Sequence, residues 1–283
     1  MSVELPEAQI LATQMNEQLR RKKIRSASVH DCQRMQKIGF INRNARDFDA
    51  LSGTVVQNVA ARGNTIRVRL SRAMNLLLAP EYGGRVLFHP PAAKVPAKVH
   101  LKVEFADGSA LTARLKSMGM ICAVPDSRLG ENYMVRRDFS GNPAPLDREL
   151  TLRRFRELLA GRNQGLKTVL VGKEAVVVGL SNSAFQDILY RAGLHPKRKG
   201  SELDLGQSRA LYDSMRALIR ERLELGGKDE FEDLHGVRGR YAPRMGPASK
   251  GRWCGRCGTR IERLAHGGGQ VYLCPTCQPE NLS

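Results

Sequence analysis

Four cysteines near the C-terminus form the clearest chemical pattern in this 283-residue chain. Cys254 and Cys257 are separated by two residues, sixteen residues follow, and Cys274 and Cys277 repeat the same spacing. Thiolates with this spacing surround one zinc ion tetrahedrally. Four protein ligands leave no open position, so we expect the zinc to be structural. The segment has almost no apolar core of its own, and zinc is therefore expected to order it.

Two carboxylates, Glu4 and Glu7, stand on either side of a leucine and a proline close to the N-terminus. Pro6 suits the first turn of a helix, and an acidic residue suits the positive end of the helix dipole. Glu7 therefore has an ordinary structural explanation as a side chain that stabilises a helix start. That explanation is weaker for Glu4, which precedes the helix.

The stretch 177–199 predicts a short helix between two tight turns. Apolar residues recur with helical spacing from Phe185 to Ala192, and Gly193 is placed to end the helix. A second helix is predicted over residues 201–225. The free backbone N–H groups at the start of the first helix form a natural anion site. An ordinary helical hairpin with a solvated basic turn at 197–199 explains the pattern equally well.

The charge of the chain favours a polyanionic partner. Forty-six lysines and arginines against 28 acidic residues give a net charge of +18, and nucleic acid is the usual ligand of such a surface. No apolar stretch is long enough to predict a membrane span, and the N-terminus lacks the pattern of a signal peptide. Paired cysteines that bind metal fit a reducing compartment. We expect a cytoplasmic, nucleoid-associated protein.

The segment GLSNSAFQDILYRAGLHPKR, which begins at Gly179, resembles the helix–two-turn–helix of the formamidopyrimidine-DNA glycosylase / endonuclease VIII family. The cysteine segment is similar to the zinc hairpin of that family, and Val3-Glu4-Leu5-Pro6-Glu7 is similar to its N-terminal Pro-Glu-Leu-Pro-Glu. In the family, the N-terminal amine attacks C1′ of a flipped damaged nucleotide, and the following glutamate assists opening of the sugar ring. The resemblance extends over almost the whole chain, although residues 25–130 match the family loosely.

The resemblance implies catalytic roles near the N-terminus. Glu4 takes the acid–base role, and Glu7 matches the second glutamate of the motif. Val3 stands where most of the family has proline, although one branch has valine. Ser2 is an additional residue, and removal of Met1 is expected to leave the N-terminal amine on it.

The resemblance also implies contacts with DNA phosphates and with the vacated base stack. Two positions depart from the family: Asn64 stands at the supporting lysine, and Gly269 stands at the arginine of the zinc hairpin. Met118 occupies the position of the family side chain that is inserted into the base stack where the flipped nucleotide has left it. The DNA-binding residues expected on these grounds are Asn182, Lys167, Arg62, Gln270 and Met118.

The elements that must position these residues give an α+β fold. We expect an N-terminal helix packed on an antiparallel β-sandwich, because residues 24–124 alternate with period two. A helical domain with the helix–two-turn–helix follows, and a zinc-ribbon hairpin ends the chain. The expected limits are 1–130 for the catalytic-type domain, 131–149 for a linker, 150–250 for the helical domain with a basic loop, and 251–283 for the hairpin.

Several functions remain open from the sequence. The first is a DNA repair glycosylase that acts on a flipped base in double-stranded DNA, through the Ser2 amine or through water activated by Glu4. The second is a catalytically inactive relative that binds damaged or distorted DNA. An RNA-binding or ribosome-associated zinc protein is a third, which the helix–two-turn–helix disfavours. A monomer acting on DNA with a damaged base or an abasic site is expected, but the lesion is not indicated.

Overall fold

The structure is a computed structural model that describes residues 3–139 and 141–280. The chain forms two compact units. The first contains the residues up to 140 together with 225–240, and the second contains 141–224 and the residues from 241 onward.

The first unit begins with helix α1 (Leu5–Leu19) and continues as two four-stranded antiparallel sheets. One sheet has the strand order β1-β6-β7-β5 and the other has the order β2-β3-β4-β8. The strands are β1 (Ile24–Val29), β2 (Val56–Arg62), β3 (Thr65–Leu70), β4 (Met74–Ala79), β5 (Arg85–His89), β6 (Leu101–Phe105), β7 (Ala110–Arg114) and β8 (Met120–Pro125).

One apolar core joins the buried face of α1 to residues of both sheets. Leu11 and Met15 of the helix pack with side chains such as Val68 and Val103, one from each sheet. Phe231 and Leu234 of the segment 225–240 belong to the same core, and the N–H of Phe88 donates to the Leu234 carbonyl. The segment is therefore part of the sheet unit. This unit also contains the short helices α2 (Gln33–Lys37) and α3 (Tyr133–Phe139) and the 3₁₀ helices Ala45–Leu51 and Asp126–Glu131.

Among the residues that the structure describes, the second unit has four α-helices and one hairpin. The helices are α4 (Leu152–Ala160), α5 (Leu166–Leu170), α6 (Asn182–Ala192) and α7 (Leu205–Glu224), and the hairpin strands are β9 (Glu262–His266) and β10 (Gly269–Leu273). Ser181 caps α6 by accepting the Ser183 N–H, and Gly193 ends the helix with a φ of 68°. This left-handed conformation favours glycine, which confirms the predicted helix end.

The α+β class is confirmed, including the helix-covered sandwich, the paired helices α6 and α7 and the C-terminal hairpin. Residues 225–240, which the expected limits place in the helical domain, lie in the unit of the sheets. The expected linker 131–149 contains the helix α3. Within the described ranges, no helix is both long enough and apolar enough to cross a membrane.

Candidate active site and nucleic-acid interface

The start of α1 holds two buried carboxylates in the first unit. Glu4 is the residue before the first helical turn, and both Glu4 and Glu7 have no exposed surface. The Glu7 Oε2 accepts the Glu4 N–H at 3.1 Å, which satisfies one of the free N–H groups of the helix start. The structural explanation expected for Glu7 therefore applies, and the Glu4 backbone is fixed by it.

Lys228 lies beside these carboxylates. Its backbone N–H donates to Glu7 Oε1 at 3.2 Å, and its Nζ is 3.7 Å from Glu4 Oε2. The side chain is almost completely buried. Glu7 thus joins the backbones of Glu4 and Lys228 through its two oxygens. Lys228 could not be predicted from the sequence, because the segment around it has no periodic pattern that predicts burial.

Gly227 allows this approach of the chain to α1. Its φ is 92°, and a Cβ at this position would lie 2.6 Å from Cδ1 of Phe231 and 3.2 Å from Cγ of Glu7. A larger residue would force the segment away from Glu7. Glycine is therefore required for the placement of Lys228.

A cavity of about 220 Å³ lies next to this group. Its lining includes Val3, Lys228 and Phe231. Two further cationic residues, Arg85 and Lys116, and two acidic residues, Glu230 and Glu232, also line it. Val3 itself is buried in the core of the unit. The pocket is therefore bounded by the N-terminal segment, by the sheets and by the segment that carries Lys228.

Arg62 ends β2, and Asn64 lies in the turn that leads to β3. The Asn64 N–H donates to Asp138 Oδ2 at 3.1 Å, and the hydroxyl of Thr65 donates to the same oxygen at 2.6 Å. Arg137 adds a two-point ion pair to this carboxylate. Asn64 is only 7% exposed, whereas Arg62 is partly exposed. Asn64, which matches the supporting lysine of the family, is a neutral side chain, so this position has no cation.

Glu81 is a further carboxyl in this group that the sequence analysis did not single out. Burial raises its pKa, while the positive charge of Arg137 and a hydrogen bond from the Asn64 side chain lower it. The negative charges of Asp138 and Glu4 also raise the pKa. Titratable groups with such environments gather at functional sites.

Met118 lies in the connection from β7 to β8 and is 45% exposed. Gly119 follows it with a φ of 146°, and a Cβ there would lie 2.4 Å from the Ala79 carbonyl oxygen. The connection therefore needs glycine and presents an apolar side chain before it.

In the second unit, Asn182 and Lys167 both bind the tip of the β9–β10 hairpin. The Asn182 amide donates to the Gln270 carbonyl at 2.8 Å, and Lys167 Nζ donates to the His266 carbonyl at 2.6 Å. Burial lowers the pKa of Lys167. Gly267, with a φ of 53°, packs against the Lys167 side chain. Three of the expected DNA-binding residues therefore meet at one place.

The basic segment that follows α7 is less exposed than its composition indicates. Tyr241 is buried, and its hydroxyl donates to Asp187 Oδ2. The aromatic ring packs inward although its segment is polar. Trp253 is 70% exposed, with the Arg260 guanidinium 5.6 Å from its ring centroid.

The four cysteines form a metal-binding cluster whose sulfur atoms all lie within 4.8 Å of one another. The Cys254–Cys277, Cys257–Cys274 and Cys257–Cys277 sulfur distances are 3.8, 3.4 and 3.5 Å. Zinc–sulfur bonds of about 2.3 Å place tetrahedral ligands about 3.8 Å apart. The cluster therefore fits one structural zinc ion, as predicted from the spacing.

Three family profiles match consecutive parts of the chain. The formamidopyrimidine-DNA glycosylase N-terminal domain matches residues 3–115, and the H2TH domain of the same family matches residues 142–231. The zinc finger found in formamidopyrimidine-DNA glycosylase and isoleucyl-tRNA synthetase matches residues 254–279.

Curated relatives match along most of their length. A formamidopyrimidine-DNA glycosylase of a Roseiflexus species is 27% identical over 281 residues, with 97% of this chain and 99% of the relative covered. One from Heliobacterium modesticaldum is 28% identical over 254 residues, covering 87% and 90% of the two chains. The chain belongs to the formamidopyrimidine-DNA glycosylase family.

Solved structures share the fold. The Lactococcus lactis enzyme in complex with DNA containing an abasic site has a TM-score of 0.83 at 21% identity, covering 98% of this chain and 100% of that one. The Thermus thermophilus protein has a TM-score of 0.81 at 21% identity, with 99% and 100% covered.

The structure groups the expected residues within each unit. Glu4, Glu7 and Val3 lie together in the first unit, where Lys228 joins them. Ser2 lies outside the described residues.

Proposed function

We propose that this chain excises a damaged base from double-stranded DNA by cleaving its N-glycosidic bond, with Glu4 as the acid–base residue. The observation that carries the proposal is the completely buried Glu4 carboxylate, fixed at the start of α1 beside a cavity in the first unit. A carboxylate removed from water exchanges protons efficiently with a reacting group that it contacts. The base must leave the duplex to reach such a group.

Glu7 and Val3 act as positioning residues in this proposal. The two oxygens of Glu7 accept backbone N–H groups, so its carboxylate orients Glu4 and is not available to the substrate. Val3 forms part of the cavity wall. Strand cleavage at the abasic product requires an amine nucleophile, and Ser2 is the candidate that the N-terminal resemblance supplies.

The second unit holds the DNA backbone in this proposal. Asn182 begins α6 and Lys167 lies in α5, and both side chains contact the β9–β10 hairpin. N–H groups and a cation at this place suit phosphate oxygens. Gln270 lies on the same hairpin. In the first unit, Arg62 acts in this proposal as a further phosphate contact, and Met118 fills the space left by the flipped base.

DNA is the partner that the family membership supports, and we propose that a monomer binds it in the cytoplasm, associated with the nucleoid. A lesion of the oxidised-base class is the proposed substrate, because the curated relatives are named for a formamidopyrimidine, an oxidised purine whose ring has opened.

An inactive DNA-binding protein is the second candidate, and three features favour it. Val3 is buried in place of the expected proline, Asn64 is buried and neutral, and Gly269 has no side chain to contact a phosphate. Such a protein would bind damaged duplex without releasing a base.

Excision assays on duplexes that each carry one oxidised purine or pyrimidine separate the two candidates. The wild-type protein is expected to release a base from at least one duplex, and Glu4→Gln is expected to slow release by about 10²–10⁴-fold. Glu17→Gln, which changes an exposed carboxylate of the same helix, is the matched control. Binding of the damaged duplexes with no release from any of them would establish the second candidate.

A further inference from the structure

Trp253 is the one tryptophan of the chain, and 70% of its surface is exposed. The next residue, Cys254, belongs to a buried apolar cluster of the second unit together with Tyr190 and Ile261. The indole therefore points away from the packing that its own turn makes. Aromatic side chains stabilise a fold through the large area that they bury. An indole that stays in water contributes little in this way and is accessible to a partner.

The turn that carries the indole has a defined backbone. Trp253 and Arg260 are bridge partners on two antiparallel segments, and beside them the Ile261 N–H donates to the Arg252 carbonyl at 2.9 Å. Residues directly opposite each other in such a pair point to the same face. The Arg260 guanidinium accordingly lies 5.6 Å from the centroid of the indole ring. An aromatic ring and a cation are thus presented together, and a fixed backbone reduces the entropy that is lost when a ligand binds.

Arg256, in the same turn, has a structural role that Arg260 lacks. The Arg256 guanidinium donates to the carbonyls of Tyr190 and Arg191 at 2.7 and 3.3 Å, and it lies 4.4 Å from the centroid of the Tyr190 ring. These contacts anchor the turn to α6. Arg260 is exposed and, among the residues that the structure describes, forms no ion pair with a carboxylate. Its guanidinium can therefore bind an anionic ligand.

The charge of this segment is strongly positive. Residues 250–263 contain one acid, Glu262, and five basic residues, all of them exposed: Lys250, Arg252, Arg256, Arg260 and Arg263. An exposed aromatic ring among cations is the arrangement by which proteins hold single-stranded nucleic acid, because bases stack on the ring and phosphates pair with the cations. The combination of ring and charge therefore fits an unpaired strand better than a protein surface.

We propose that Trp253 and Arg260 form a binding site for single-stranded DNA, in which one unpaired base stacks on the indole and a neighbouring phosphate pairs with the guanidinium. In a duplex each base is already stacked between its neighbours, so the site selects unpaired strands, such as those at a gap or a strand end. DNA is assigned as the partner because the chain belongs to a family of DNA glycosylases. The binding requires neither base release nor the Glu4 carboxylate, so it is independent of the proposed function.

The fluorescence of Trp253 reports on this site directly, because the chain has no second tryptophan. The zinc-loaded wild-type protein is titrated with an oligothymidylate of about twelve nucleotides, a length within the usual range of single-strand sites. Stacking of a base against the indole should quench the emission to saturation, and a blunt duplex of the same length should quench it much less. Absence of quenching by oligothymidylate, or equal quenching by the duplex, would overturn the proposal.

Variants show whether the ring itself carries the binding. Trp253→Ala should raise the Kd for a labelled oligothymidylate about tenfold, measured by fluorescence anisotropy, and Trp253→Phe should raise it less. Leu205→Ala, which removes an apolar side chain that is 52% exposed in the same unit, is the matched control. Elemental analysis should find one zinc in each variant. Equal affinity of Trp253→Ala and Leu205→Ala would overturn the assignment.

Arg260→Gln tests the phosphate contact. Removal of one cation should weaken binding of oligothymidylate, and the slope of log affinity against log salt concentration should become smaller in magnitude by about 0.7. Arg69→Gln, which removes an exposed arginine of strand β3, should leave both quantities unchanged. If the slopes of Arg260→Gln and the wild type are the same, the guanidinium does not bind a phosphate and the proposed site is wrong.

Two further ligands test the identity of the partner. Polyglutamate carries negative charges without bases, so it should quench Trp253 little. Quenching as strong as that by oligothymidylate would assign the surface to an acidic peptide. Oligouridylate is expected to bind no more tightly than oligothymidylate, and tighter binding would assign the surface to RNA. Either of these results would overturn single-stranded DNA as the partner.

Discussion

The two units hold their polar side chains in different ways. In the second unit, Lys167 and Asn182 donate to backbone carbonyls at the tip of a hairpin. In the first unit, charged groups are buried against each other, as Glu4 is against Lys228 and Arg137 against Asp138. N–H groups at a helix start and a lysine beside a hairpin suit phosphates, which every sequence of DNA presents. Paired charges in a dry site suit proton transfer, because the low dielectric strengthens each interaction.

This difference predicts that affinity and chemistry can be changed separately. Variants of the second unit should alter binding to any duplex, and variants of the first should alter the reaction or the stability of the sheets. The following experiments test that separation.

Loss of the zinc site is expected to have the largest effect. Structural zinc contributes about 10–16 kcal/mol to the folding of small zinc domains, so Cys274→Ser should unfold the hairpin that carries Gln270. We expect elemental analysis to find one zinc per wild-type chain and none in the variant, with a large loss of duplex affinity. Cys122→Ser, in strand β8, should retain the metal. Unchanged duplex affinity of Cys274→Ser would contradict a role of the hairpin in binding.

Removal of the Asp138 charge should destabilise the first unit. Breaking a buried ion pair from one side costs about 3–5 kcal/mol, so Asp138→Asn should lower the unfolding temperature while zinc stays bound. Glu131→Gln is the control, because its pair with Arg128 is about two-thirds exposed and worth about 0–1 kcal/mol. If thermal unfolding shows equal effects of the two variants, the buried ion pair contributes no more to stability than the exposed one.

Asn182→Ala should weaken binding to damaged and undamaged duplex alike. A lost hydrogen bond of about 1.4 kcal/mol corresponds to about a tenfold higher Kd. The exposed Asn163→Ala in the same unit should bind as the wild type. If Asn182→Ala loses affinity for the damaged duplex alone, Asn182 reads the lesion, and the separation between the units fails.

Lys167 is expected to give the smallest effect, a dependence of affinity on pH. Burial lowers its pKa, and lysine is cationic only below its pKa. Affinity should therefore begin to fall, as the pH rises, before the ordinary lysine value of about 10.4 is reached. Lys167→Met should lack this transition. For this variant, the slope of log affinity against log salt concentration should also be smaller in magnitude by about one. If the wild type and Lys167→Met lose affinity equally as the pH rises, the titrating group is not Lys167.

The parts of the molecule set by local sequence could be predicted from the sequence. The spacing of the cysteines defines the zinc ligands, and Gly193 ends α6 through its own backbone freedom. Asp107-Gly108 also indicates the turn that joins β6 to β7.

The parts that depend on distant packing could not be predicted. Lys228 is buried where Glu7, which precedes it by 221 residues, accepts its backbone N–H. Asn64 is buried by Asp138, 74 residues further along the chain. Phe231 and Leu234 complete the core of the sheet unit although their segment lacks helical or strand periodicity. Burial of single residues in irregular segments is a property of the tertiary structure.

The most direct test measures rate and affinity together in two variants. Glu4→Gln and Asn182→Ala are compared with the wild type by single-turnover excision and by duplex titration on the same damaged DNA. We expect Glu4→Gln to excise about 10²–10⁴-fold more slowly with an unchanged Kd, and Asn182→Ala to bind about tenfold more weakly while retaining the wild-type rate at saturation. Wild-type excision by Glu4→Gln would contradict the assignment of the chemistry to the first unit.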